Sequence, residues 1–185
     1  TTVHFKPDPS IFSTTIIDYK TCANRLKESA YLIKGLKIEL VDERSGQSDV
    51  FHYQNGIVEY IQDLTNGKEK YHDTISLEGV SNGIQVEVAL QYNVKVYNEH
   101  ISSFVNNIRT IDGGTHEVGF KTAITKAFND YARTKGILKE KDSNLEGIDI
   151  REGLTAIISV RVPEDKLQFE HIADIRNRNI NIIII

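Results

Sequence analysis

Apolar residues recur along the chain with two spacings, alternate and helical, and these divide it into segments. Thr1 to Phe5 is β-branched and aromatic and reads as a strand, stopped by Lys6-Pro7-Asp8-Pro9. Cys22, Leu26, Ser29/Ala30 and Ile33 fall on one helical face. They predict a helix capped by Asp18, running through Ile33 and stopped at Gly35. Leu36, Ile38 and Leu40 alternate with Lys37 and Glu39, as in a half-buried strand. Asp42 to Asp49 is a polar turn around Gly46, and Val50 to Tyr53 a second short strand. Asn55-Gly56 breaks the pattern, and a domain boundary is placed near it.

Beyond that boundary Ile57, Tyr60, Ile61 and Leu64 predict a short helix ended by Asn66-Gly67. Thr74 to Glu78 and Ile84 to Tyr92 predict a hairpin turning at Ser81-Asn82-Gly83, with Ile84, Val86, Val88 and Leu90 on one face. A further strand spans His100 to Arg109. Gly113-Gly114-Thr115 is the sharpest break, with Thr115 the expected cap of a helix over 116–134. Its apolar stripe is Phe120, Ala123, Ile124, Ala127, Phe128 and Tyr131. Lys139 to Asp149 reads as a charged connection, and Leu154 to Val162 as an apolar strand ended by Pro163. The sum is an α+β chain. Residues 171–185 end in an isoleucine run unlike the rest and form an atypical tail that carries no functional reading.

Length and composition narrow the class. At 185 residues the chain suits one medium domain or two smaller pieces. The longest apolar run, Ile182 to Ile185, is far short of the roughly 20 residues needed to cross a bilayer, so no membrane partner is expected. No basic-then-apolar leader is visible, and the single Cys22 cannot form an internal disulfide, so the expected location is cytoplasmic. The opening Thr-Thr-Val-His-Phe, without Met, reads as a cut through a longer protein. Net charge is −4, so any DNA contact needs a local basic face.

Candidate chemistry is sparse. The histidines at 4, 52, 72, 100, 116 and 171 lack metal-ligand spacing, so no metal site is expected. Cys22 lies on an apolar helical stripe, which suits a buried inert thiol. Gly113-Gly114-Thr115 before a helix could cradle a phosphate, but neither the P-loop nor Gly-x-Gly-x-x-Gly is present, and a turn is the better reading. Asp8, Asp18, Asp42, Glu43, Asp73, Glu99 and Asp112 show no spacing that fixes an acid–base pair. Lys121, Lys126 and Arg133 share the 116–134 helix and Arg109 precedes it. They form either a solvated face or a surface that meets DNA through phosphates. No complete active site, and so no self-sufficient enzyme, emerges from the residues.

One stretch is more specific. Ser103 to Phe120, reading Ser-Phe-Val-Asn-Asn-Ile-Arg-Thr-Ile-Asp-Gly-Gly-Thr-His-Glu-Val-Gly-Phe, resembles the B subunits of bacterial type II topoisomerases, DNA gyrase and topoisomerase IV. Phe128 to Arg133, Asn144 to Gly147, Asp149 to Ala156, Val160 to Pro163 and Leu167 to Glu170 extend the resemblance, which covers about residues 1 to 170. Phe51-His52-Tyr53 followed by Gly56-Ile57 is more similar to topoisomerase IV than to gyrase.

The resemblance implies a fold and a division of labour. Residues 1–55 would be the C-terminal part of a GHKL-type ATPase α/β sandwich. Residues 56–170 would be a transducer domain of the ribosomal-protein-like two-layer α/β fold. Together they imply a fragment of an ATP-dependent DNA topoisomerase, an isomerase, that couples ATP binding and hydrolysis to duplex capture and strand passage. The implied partners are double-stranded DNA, the topoisomerase A subunit, which holds the cleavage tyrosine, and a second B subunit in the ATP-closed dimer. A stand-alone DNA-binding or interaction module with the same fold is the alternative. ATP and magnesium would serve the full-length protein. The family's catalytic Glu, magnesium-binding Asn and glycine-rich lid precede the position of Thr1, and His171 stands where the family continues into Gly-Gln-Thr-Lys. The fragment alone is therefore expected to be inactive and to bind neither ATP nor magnesium. Thr1 matches the family threonine of the adenine pocket, and Arg109, Lys121 and Arg133 become DNA-cavity candidates set by the structural turn Gly113, Gly114 and Thr115.

Overall fold

A computed structural model of the chain describes residues 3–163. They divide into two compact units, one reaching Gly56 and one spanning Ile57–Pro163. The class is α+β. The strand expected at the start does not form at Val3 to Phe5: a strand exists only through a paired neighbour, and none of the described ladders includes them.

In the first unit, helix α1 (Tyr19–Leu32) begins where Asp18 Oδ1 accepts the Thr21 amide at 2.7 Å, as the sequence requires of a cap. It ends as Ile33 leaves helical geometry and Gly35 takes a left-handed φ of +78°. The hairpin β1 (Lys37–Asp42) and β2 (Gln47–His52) sets Ile38 opposite Phe51. Leu26 and Ala30 of α1 pack on Phe51, beside Ile38, Leu40 and Tyr53. Tyr31 stacks on Tyr53 with ring centroids 3.7 Å apart. Cys22 is free and half-buried, and not a member of this core as its stripe position suggested.

The second unit is built on one sheet. Its elements are α2 (Ile57–Leu64), β3 (Ile75–Ser81), β4 (Ile84–Tyr92), β5 (His100–Val105), β6 (Ile108–Arg109), α3 (Thr115–Thr134), α4 (Gly147–Ile150) and β7 (Leu154–Arg161). The strand order is β3-β4-β7-β5-β6, with β7 antiparallel to β4 and parallel to β5. Being central, β7 is buried on both faces from Leu154 to Val160, which is why it reads as a near-continuous apolar run. On one face Leu154, Ala156, Ile158 and Val160 join Val88, Leu90, Ile124 of α3 and Ile150 of α4 in one core. The other face meets α2, where the Tyr60 ring lies 6.5 Å from Phe104 and Thr65 Oγ1 donates to Gln91 Oε1 at 3.3 Å.

The β3–β4 turn uses Asn82 and Gly83, both at positive φ, as a two-residue hairpin demands. The strand expected over His100–Arg109 is instead two strands. Asn106 and Asn107 take φ of 49° and 63° and fold β6 back on β5; short amide side chains tolerate this region. The expected 139–149 connection runs into the short helix α4, which starts at Gly147 and ends at Ile150. The apolar stripe of α3 is only partly covered: Phe120 and Ile124 reach the core, while Phe128 and Tyr131 stay 42% and 61% exposed. Near its C-terminal end α3 buries Asn129 instead. Asn129 Nδ2 donates to the carbonyls of Thr125 and Leu145, and Oδ1 accepts the Leu145 amide at 2.7 Å, so no polar atom is left bare.

Candidate nucleic-acid interface

The site grows from the turn between β6 and α3. Gly113 adopts φ +76°, and its amide donates to the Thr110 carbonyl at 3.1 Å. Gly114 is extended but crowded: a Cβ there would lie 2.7 Å from His116 Cε1. Thr115 is not the cap. Gly114 holds that position with no side-chain hydrogen bond, and Thr115 is the first helical residue. With no side chain at the cap, the first turn relies on the Gly114 carbonyl, which accepts the Glu117 and Val118 amides at 3.1 Å.

From this turn a polar chain crosses the α3 face of the sheet. His116 Nε2 lies 3.1 Å from Thr110 Oγ1, which lies 2.6 Å from Ser103 Oγ; Ser103 Oγ donates to Glu117 Oε2 at 3.0 Å. Glu117 Oε1 meets Lys121 Nζ at 3.0 Å, one helical turn on, and Lys121 Nζ also meets Glu99 Oε1 at 2.9 Å. Arg151 Nε donates to the other oxygen of Glu99. The hydrogen bond that Lys121 donates to Glu99, with help from the one to Glu117, holds its ammonium above the ordinary range. Burial pushes the Glu99 carboxyl up, but the Lys121 and Arg151 contacts outweigh it and leave it below the usual range. His116 is lowered by burial, which the neighbouring Glu117 only partly offsets. Beside these groups an open groove of about 480 Å³ runs along α3, lined by Lys121, Thr125, Lys126, Asn129, Asn144 and Arg151 among others.

The three expected DNA-cavity cations are not brought together. Arg109 stands opposite Phe104 in the ladder, on the α2 face, where Nη2 donates to Ser102 Oγ at 3.1 Å. Lys121 is on the opposite face. Arg133 is twelve residues further along α3, about 18 Å away at ~1.5 Å per residue. There its guanidinium donates to the carbonyls of Lys139 and Asp142 and to Asn144 Oδ1. Thr1 lies outside the described residues. Sequence reasoning did not single out Glu117 and Arg151. The Glu117–Lys121 spacing was a legible helical signal, whereas Arg151 meets Glu99 across 52 residues with no local mark. Among the described residues no group of three or more His, Cys, Asp or Glu side chains could hold a metal ion.

The DNA gyrase B family model matches residues 56–171, more than half of the chain. The chain belongs to the DNA gyrase B family. A relative, the B subunit of DNA topoisomerase 4 from Bacillus subtilis (strain 168), is 58% identical over 170 residues, covering 92% of this chain and 26% of that protein. Its counterpart of the same name from Enterococcus faecalis (strain ATCC 700802 / V583) is 55% identical over 172 residues, covering 92% of this chain and 25% of that protein. This member of the gyrase B family thus spans about a quarter of the length of those curated relatives. Among solved structures, the 43K ATPase domain of Thermus thermophilus gyrase B in complex with an aminocoumarin superposes with TM-score 0.74 at 38% identity, over 86% of this chain and 43% of that one. The B-subunit of the DNA gyrase from Myxococcus xanthus superposes with TM-score 0.75 at 26% identity, over 89% and 45%. Among the described residues no helix is long and apolar enough to cross a membrane.

Proposed function

We propose that this chain is the coupling segment of an ATP-dependent type II DNA topoisomerase B subunit, acting in the cytoplasm with an A subunit and a second B subunit on double-stranded DNA. In this reading residues 1–55 close the ATPase domain, with Thr1 at the adenine pocket, and residues 56–170 are the transducer. ATP and magnesium are held by parts of the full-length protein other than the described residues, and this fragment alone neither binds nor turns over nucleotide. The match of the gyrase B family model to residues 56–171 is the observation that carries the proposal.

The mechanics follow from the second unit. The buried β7 gives it a stiff axis, and the Gly113-Gly114 turn sets the angle of α3 against the sheet. Lys121 offers a phosphate contact at the groove, while Arg109 and Arg133 add separate charges elsewhere. Contacts of this kind position a duplex without reading its sequence. The test is DNA binding by the B subunit carrying Lys121→Gln. The slope of log affinity against log salt should fall by about one. An unchanged slope, also after Arg109→Gln and Arg133→Gln are added, would remove the DNA contact from this segment.

A further inference from the structure

The cations beside the groove are already neutralised from within. Lys121 meets Glu99 and Glu117, Arg151 meets Glu99, and Lys126 pairs with Asp130. Three positive groups are thus matched by three carboxylates. Of these, Glu99 differs from the rest. It joins two cations from separate elements, one on α3 and one just before β7. It also sits in the connection before β5, where its side chain can rotate away without breaking a helix or strand. Glu117, by contrast, is fixed in the first turn of α3 and tied to Ser103 Oγ.

We propose that Glu99 is an internal stand-in for a DNA phosphate, occupying Lys121 and Arg151 until a duplex backbone displaces it into solvent. The proposal rests on the DNA-contact reading of Lys121 above. A carboxylate that bridges an ammonium and a guanidinium presents two acceptor oxygens to the donors a phosphodiester would use. While it is in place, the groove carries little net attraction for passing polyanions. A duplex must be held close, at high local phosphate concentration, before exchange is favourable. The exchange also alters the ion balance. Phosphates that meet Lys121 and Arg151 release counterions, but the freed Glu99 takes up cation from solution, so the salt dependence is shallower than two contacts would give. The lowered Glu99 and raised Lys121 titrations keep both groups charged near neutrality, as an exchange of ion partners needs.

The experiment measures anisotropy of a labelled duplex of about 20 base pairs with the full 185-residue chain, from low to moderate salt. Compared are the parent chain, Glu99→Gln, Lys121→Gln, Arg151→Gln, and Glu99→Gln combined with both cation changes. Glu99→Gln should tighten binding by about two- to five-fold, the scale of a partly exposed ion pair, and steepen the salt slope by up to about one. The gain should vanish in the combined variant. If Glu99→Gln leaves affinity unchanged or weakens it while Lys121→Gln weakens it, Glu99 only orients the cations; the proposal is overturned and the DNA-contact reading stands. If none of the single variants changes affinity, that reading fails and this one with it. Thermal unfolding checks each variant's fold. Should Glu99→Gln not fold, Glu99→Asp, whose shorter arm cannot bridge both cations, must tighten binding for the proposal to survive.

Discussion

Arg133 carries the prediction with the most structural detail behind it. Its Nη1 donates to the Lys139 carbonyl at 3.0 Å and its Nη2 to the Asp142 carbonyl at 2.9 Å, while Nε and Nη2 both reach Asn144 Oδ1, at 3.1 and 2.6 Å. The planar fork thus ties the 139–144 segment to the last turn of α3. Arg133→Lys keeps the charge but replaces the planar fork by a single nitrogen that cannot be within reach of all three acceptors in their present places, so about two of these contacts should go. At roughly 0.5–1 kcal/mol net for each exposed hydrogen bond, the segment loses about 1–2 kcal/mol of local stability. Hydrogen exchange should then speed up by about five- to thirty-fold at the amides of Lys139, Asp142 and Leu145, which bond within this region. Amides of β7 should not respond. Arg133→Gln should open the segment to the same extent, and should change the salt slope of DNA binding less than Lys121→Gln does, because the guanidinium is committed to the loop. Unaltered exchange at those amides in Arg133→Lys would refute the clamp. A slope change in Arg133→Gln as large as that of Lys121→Gln would show that the charge, not the fork, is what matters.

Gly153 and Gly136 have nearly the same left-handed φ, +76° and +70°, but a Cβ at Gly153 would lie 2.9 Å from the Val96 carbonyl oxygen, whereas Gly136 has open space. Gly136→Ala should cost about 1–2 kcal/mol and Gly153→Ala about 2–5, read from urea midpoints; equal costs would contradict the packing at the start of β7. Thr115→Ala should change stability by less than about 0.5 kcal/mol because Thr115 caps nothing, while Gly114→Ala, pushing the His116 ring from Thr110, should cost about 1–2. His100 is lowered by burial, then by Arg109 and Lys68, and His116 by burial, so the unfolded chain binds protons more readily than the folded one. Stability should be flat above about pH 6.5 and fall as pH drops through the depressed folded values; melting curves at pH 7.5 and 5.5 should show it, with His116→Gln flattening the dependence.

What the sequence made legible was local. Asp18 at its cap, the Asn82-Gly83 turn and the apolar run of β7 each depend on neighbours in the chain, and each appears where expected. Asn106-Asn107 was missed because the usual sign of a left-handed pair includes glycine, and two asparagines inside an apolar run looked like strand. Asn129 was missed for a different reason: its place on α3 is set by acceptors on Leu145, which helical periodicity cannot see. The candidate site divides in the same way. Glu117 and Lys121 are one helical turn apart and could be paired on paper; the Glu99 link to Arg151 exists only once the loop before β5 and the turn before β7 are side by side.

The second unit therefore holds two physically different systems, the apolar packing of β7 and the polar chain on its α3 face, and the difference bears on how the unit could respond to a distant event. Along β7 burial is nearly complete, so a small shift there costs packing on both sides at once and the strand moves as a rigid piece. Across the α3 face the contacts run instead from Thr110 and the buried Ser103 through Glu117 to Lys121, Glu99 and Arg151, and in this last, ion-paired part partners can be exchanged at little cost because the groups are partly solvated. A change in the angle of α3 at the Gly113-Gly114 turn would be carried by the first system and registered by the second, as a different pairing of the same charges. Such a response requires that perturbing the turn alters the ion pairs. Gly114→Ala should thus change the salt slope of DNA binding beyond what its loss of stability explains, and a slope that follows stability alone would confine the turn to a folding role.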